Sequence, residues 1–291
     1  MDDLGPLRAL ISEELEQPVA PQATQLARAI CDEHTGICAI LFYGSGFWRT
    51  PKPDTVFDFY VLVNDYRNFD PRKSHAMFGY LLPPNVYYLE RGDARCKFAV
   101  MRMDQFERAA AGLSPGSQIW SRFSQPCRLI YSRDDTARER TVTALARAVI
   151  TFHEQTLPLV KDSARQAQNI WVRGLTQTYS TEWRSERTAR ADELYNANQP
   201  RLDARTRLAL PLSKPAKRVL TTGWRRLLAK AVYFLQLAKA VFTFDGGVDY
   251  ALYKIERQSG LKLEATEFQR RHPLIGAWPL VWKAWRAGAL R

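Results

Sequence analysis

Apolar and polar positions change rhythm twice along the chain. Residues 5–35 carry apolar side chains at helical spacing, with Leu10, Leu15, Leu26 and Ile30 as expected core positions. From Cys38 to Tyr131 the rhythm shortens. Runs rich in β-branched and aromatic residues at 38–43, 56–63, 85–90, 96–103 and 127–131 predict strands. Loops such as "RTPKPDT" and "YLLPPN" separate them, and a short helix is expected over 104–112. From Asp134 onward the strand signal stops. Val142, Leu145, Val149 and Phe152 fall at helical spacing ahead of Pro158, and further helices are expected at 161–176, 182–196 and 215–243.

This pattern predicts an α+β protein. A mixed-sheet domain over residues 1–133 is followed by a mainly helical domain over 134–272. Residues 273–291 form a C-terminal amphipathic helix. No repeat or low-complexity tract interrupts it.

Composition narrows the class. The chain has 291 residues, 46 % of them hydrophobic, which is a globular composition and not a disordered one. A formal net charge of +12 points to an anionic partner: nucleic acid, nucleotide phosphates or an anionic membrane face. The four cysteines, Cys31, Cys38, Cys96 and Cys127, form no C-x-x-C pair and no zinc-like spacing with histidine, so reduced, buried thiols are expected. The opening "MDDLGPLRAL" has neither a basic start nor an apolar core, and no apolar run is long enough for a membrane span. A cytoplasmic protein is expected.

The segment "LFYGSGFWRTPKPDTVFDFYVLV" (41–63) carries the first chemical signal. One predicted strand ends in Gly44-Ser45-Gly46, and the next contains a single charge, Asp58. A carboxylate inside a buried strand must face solvent or meet a cation. Glycines at a strand end let the backbone approach a triphosphate, and consecutive N–H groups form a nest for anions. An aspartate on the neighbouring strand can hold Mg²⁺ against phosphate oxygens. This is the layout of a nucleotidyltransferase core. Such a core usually carries a second carboxylate two residues on, where this chain has Tyr60. A glycine turn beside a solvated strand aspartate explains the same residues.

Four stretches carry a further resemblance. They are "YGSGFW" (43–48), "VFDFYVLVND" (56–65), "NVYYLERGDARCKFAVM" (85–101) and "GLTQTYSTEWR" (174–184), with a weaker fifth in "WSRFSQPCRLIY" (120–131). Together the chain resembles the mitochondrial translocator assembly and maintenance family. These are peripheral-membrane phosphatidate cytidylyltransferases, also called CDP-diacylglycerol synthases. The family's connecting segment after the aspartate strand is not recognisable in "YRNFDPRKSHAMFGY".

The resemblance implies transfer of CMP from CTP to phosphatidate, giving CDP-diacylglycerol and pyrophosphate. It implies Mg²⁺ held by Asp58 and Glu182, and a Gly44-Ser45-Gly46 loop around the triphosphate. Lys97, Arg122 and Arg184 are implied phosphate contacts, while Arg49 and Lys52 read as solvated loop charges. Glu182 also reads as the first turn of a capped helix, and Asp65 as a turn residue.

In the last segment Trp278, Trp282 and Trp285 share a helical face, flanked by Lys283 and Arg286, a pattern suited to an anionic membrane interface. It equally describes a terminal helix docked on the core. Other acceptors (RNA, protein or a small molecule) remain open alternatives. So does a catalytically silent scaffold that binds nucleic acid or membrane.

Overall fold

The computed structural model describes residues 4–44, 55–179 and 187–217, with scattered positions between 219 and 268. Its centre is a five-stranded mixed sheet in the order β3-β4-β2-β1-β5. The strands are β1 (Ile37–Tyr43), β2 (Val56–Val63), β3 (Asn85–Arg91), β4 (Ala94–Arg102) and β5 (Arg128–Ser132). β2 and β4 run parallel, and the other neighbouring pairs are antiparallel. The architecture is α+β.

β3 and β4 form a hairpin closed by Gly92–Asp93, and Gly92 takes φ +57°, a conformation suited to tight two-residue turns. That hairpin brings β4 back alongside β2 in parallel. β2 therefore lies between β1 and β4, and every residue from Phe59 to Val63 is buried. Alternation divides it. Phe57, Phe59, Val61 and Val63 face one side of the sheet, and Tyr60 and Leu62 face the other.

The first side is covered by α2 (Pro21–Glu33), α3 (Tyr66–Phe69) and α4 (Lys73–Leu81), through Leu26, Ile30, Phe69 and Ala76. Buried Asp70 ties this layer together. It accepts from Arg72 Nη2 at 2.6 Å and Tyr87 Oη at 3.0 Å, and pairs with His75 Nδ1 at 2.9 Å.

The opposite side is covered by α1 (Gly5–Leu15), α5 (Met103–Ala110), α6 (Gln118–Phe123) and α7 (Asp135–Thr156). Asp134 caps α7 by accepting from Ala137 N at 2.7 Å, which satisfies one of the free amides of the first turn. Behind α7 lie α8 (Ala167–Tyr179) and α9 (Arg187–Ala209). One apolar cluster runs from Leu41 and Tyr60 in the sheet through Val149 and Phe152 to Trp171 and Leu202. A buried ion pair, Arg205 with Glu14, fastens α9 to α1, and Arg205 also donates to Ser124 O at 2.5 Å.

The helical stretch expected at 5–35 is built as two helices, because the chain leaves helix between Glu16 and Ala20 ahead of Pro21. The buried face of the first is Leu7, Ile11 and Leu15, and Leu10 lies beside it. Cys38, Cys96 and Cys127 are buried, Cys31 is partly so, and all four are free thiols.

Candidate functional site

The site stands at one end of the sheet, on the face shared with α6. Strand register builds it. Tyr43 of β1 pairs with Asp58 of β2, Asp58 with Lys97 of β4, and Lys97 with Tyr88 of β3. Directly paired residues share a face, so these four side chains form one row across four strands. The next row inward is Leu41, Tyr60, Ala99 and Val86, and its apolar members seal the site from below.

Asp58 meets a cation. Lys97 Nζ lies 3.2 Å from Asp58 Oδ1. Gly44 follows β1 with φ +85°, and a Cβ placed there would stand 2.9 Å from Asp58 Oδ2. The glycine therefore lets the backbone pass directly over the carboxylate. Arg122 reaches in from α6, with its guanidinium carbon 5.2 Å from the centre of the Tyr43 ring, in cation–π contact. Gly44, Asp58, Lys97 and Arg122, singled out from sequence, thus converge. Ser45, Gly46, Arg49, Lys52, Glu182 and Arg184 lie outside the described residues, as do Trp278, Trp282, Lys283, Trp285 and Arg286.

Tyr60 occupies the position two residues on from Asp58, where a nucleotidyltransferase core usually carries a second carboxylate. Its side chain is fully buried against Phe123, with ring centres 5.1 Å apart, and its hydroxyl donates to Met101 Sδ at 3.3 Å. Burial pushes the phenol well above its ordinary pKa. Tyr60 is therefore core, and it supplies no anion.

The described residues do not fit Mg²⁺. That ion asks for octahedral oxygen ligation. Asp58 offers one carboxylate, already engaged by an ammonium, and among the described residues no three His, Cys, Asp or Glu side chains come together. What this end of the sheet presents is a cationic edge, Lys97 and Arg122, with Asp58 orienting the lysine. Such an arrangement can bind phosphate oxygens by charge-assisted hydrogen bonds.

Asp65 has a structural task. It caps α3 by accepting from Arg67 N at 2.8 Å and accepts from Tyr80 Oη at 2.7 Å. These hydrogen bonds, the one from Arg67 N foremost, hold its carboxyl below the ordinary aspartate range. Tyr43 and Tyr88 are members of the row that sequence reasoning missed. Their signal lay in cross-strand register, which needs the pairing of strands and not their composition.

No known family model matches the chain, and no curated protein matches it. Among solved structures, a nucleotidyltransferase-like protein from Exiguobacterium sibiricum 255-15 is similar at 15 % identity and a TM-score of 0.30, over 91 % of this chain and 92 % of that one. A likeness of that degree does not extend to a shared reaction.

Proposed function

We propose that this end of the sheet binds the phosphates of a nucleoside triphosphate and supports nucleotidyl transfer. In its finer form the reading takes CTP as donor and phosphatidate as acceptor. The observation that carries it is the Asp58–Lys97 pair set directly beneath the positive-φ turn at Gly44. The four sequence stretches described above support the finer form, and the net charge of +12 suits both an anionic nucleotide and an anionic lipid.

In this reading a phosphate oxygen of the acceptor attacks the α-phosphorus. A new P–O bond forms, the bond to the β-phosphate breaks, and pyrophosphate leaves with the electron pair. The chain contributes charge and position, which dominate phosphoryl-type transfer. Lys97 and Arg122 neutralise phosphate oxygens. Asp58 holds Lys97 in place. The glycine turn admits the triphosphate close to the backbone.

A second reading is a phosphate-binding fold without turnover. It is favoured by Lys97, which occupies the carboxylate where a metal would sit, and by Tyr60, which replaces a second acid. Mass-spectrometric analysis of products from CTP, Mg²⁺ and phosphatidate in mixed micelles separates them. CDP-diacylglycerol formation supports transfer to lipid. A cytidylylated product on another acceptor keeps nucleotidyl transfer and removes the lipid. Nucleotide binding with no product with any acceptor supports the silent fold.

Among the described residues no helix is long and apolar enough to cross a membrane. In this reading phosphatidate is reached from the bilayer surface.

A further inference from the structure

A second place on the same sheet face is built to take a ligand of different chemistry. Met101 lies four residues along β4 from Lys97, roughly 13 Å at the rise of a strand. Tyr60 stands between them, its hydroxyl on Met101 Sδ. Beyond Met101 the fold leaves an open cavity of about 300 Å³. Leu81, Met101, Ala109, Ile119 and Val232 line it, and no aromatic side chain does among the described residues.

Two of the three amides in the wall, those of Gln105 and Gln236, are already used by the fold, and Gln118 is the third. Gln105 Oε1 accepts from Tyr66 Oη at 2.7 Å, and its Nε2 donates to Tyr80 O at 3.2 Å. Gln236 Nε2 donates to Pro83 O at 2.6 Å. With those two amides engaged, the aliphatic side chains of the wall reward apolar filling. The far wall is also fastened. Lys239, three residues on from Gln236 in the sequence, donates to Pro84 O at 2.6 Å and Asn85 Oδ1 at 3.0 Å. The cavity is thus formed before any ligand arrives, as ligand pockets commonly are.

Its mouth is different. Arg108, on the last turn of α5, is exposed and lines the cavity, and Leu81 is 69 % exposed at the rim. An aliphatic interior without aromatic walls, a guanidinium at the opening and apolar side chains at the rim describe one kind of ligand. We propose that this cavity binds a flexible aliphatic chain that carries an anionic head group, with the chain against Met101 and Val232 and the head against Arg108. The site lies apart from the Asp58 row and needs no nucleotide.

The test is isothermal titration of the full chain with dodecyl phosphate below its micellar concentration, beside dodecanol and inorganic phosphate. Saturable one-to-one binding of dodecyl phosphate is expected, with dodecanol weaker and inorganic phosphate unable to displace it. Val232→Trp fills the cavity and weakens binding about tenfold or more. Arg108→Glu, on the surface, weakens dodecyl phosphate about threefold and leaves dodecanol unchanged. Asp58→Asn binds as the unaltered chain does, which separates this site from the proposed reaction. Absence of saturable binding overturns the proposal. So does binding that Arg108→Glu and a folded Val232→Trp both leave intact, or binding that Asp58→Asn abolishes.

Discussion

Lys97 Nζ stands 3.2 Å from Asp58 Oδ1 because the parallel register of β2 and β4 sets the two residues side by side. The aspartate that looks misplaced in a strand of apolar residues is matched by a lysine that looks equally misplaced in the next. Each accounts for the other, and both open to solvent at the sheet's end.

Lys97→Met removes the cation from this pair. The side chains are 36 % and 27 % exposed, so solvent screens the pair and its loss costs about 1 kcal/mol or less in chemical denaturation. Nucleotide affinity responds far more. Titration with CTP is expected to show a loss of about tenfold, the effect of removing one charge-assisted phosphate contact. Equal affinity in the variant removes Lys97 from the phosphate site.

Gly44→Ala forces a Cβ to within 2.9 Å of Asp58 Oδ2 at a φ of +85°. The left-handed backbone and the contact together are expected to cost about 2 kcal/mol, read as a lowered denaturation midpoint. The same substitution displaces the Asp58 carboxylate, so CTP affinity falls along with stability.

Asp70→Ala leaves Arg72, His75 and Tyr87 without their shared acceptor on the other face of the sheet. The carboxylate is buried, and removing one partner of a buried charged network is expected to destabilise by about 3 kcal/mol. Nucleotide affinity of the folded fraction stays unchanged, because the network and the Asp58 row are on opposite faces.

Acid should weaken the helical layer through His153. Burial pushes this imidazole down to about 4, while its Nδ1 stays 2.8 Å from Val149 O and its Nε2 3.2 Å from Thr206 Oγ1. The unfolded chain takes up the proton first, near pH 6.5. Stability from the neutral form is therefore complete above about pH 6.5 and is lost as pH falls toward 4, by up to about 3 kcal/mol. Denaturation midpoints across that window test this, and His153→Asn is expected to flatten the dependence.

The strands were legible in the sequence nearly residue for residue, because β-branched and aromatic runs between Pro- and Gly-containing loops leave little ambiguity. Val56–Val63 has the expected bounds, and Asn85–Arg91 differs by one residue. Helices were less legible where tertiary packing overrides local signals. The helix expected to end at 196 continues past Pro200 to Ala209, held by buried Leu202 and Ala209 against the core. The short helix Lys73–Leu81 has a weak apolar stripe and is fixed instead by Asp70 and by Asn85, whose Nδ2 donates to His75 O at 2.8 Å.

In the candidate site, Asp58, Lys97, Gly44 and Arg122 were readable as residue types that suit phosphate. That Lys97 pairs with Asp58, and that Tyr43 and Tyr88 complete the row, depends on which strands are neighbours. The β2–β4 pairing joins segments some forty residues apart, and no local pattern specifies it. The terminal tryptophan segment lies outside the described residues, so its membrane role stands as proposed from sequence.

The most direct measurement of the central claim is pyrophosphate release from CTP and Mg²⁺, with and without phosphatidate in mixed micelles, for the unaltered chain and Asp58→Asn. Release that requires both the lipid and Asp58 is the outcome expected of CMP transfer to phosphatidate. Release that persists in Asp58→Asn, or no release with phosphatidate present, contradicts it.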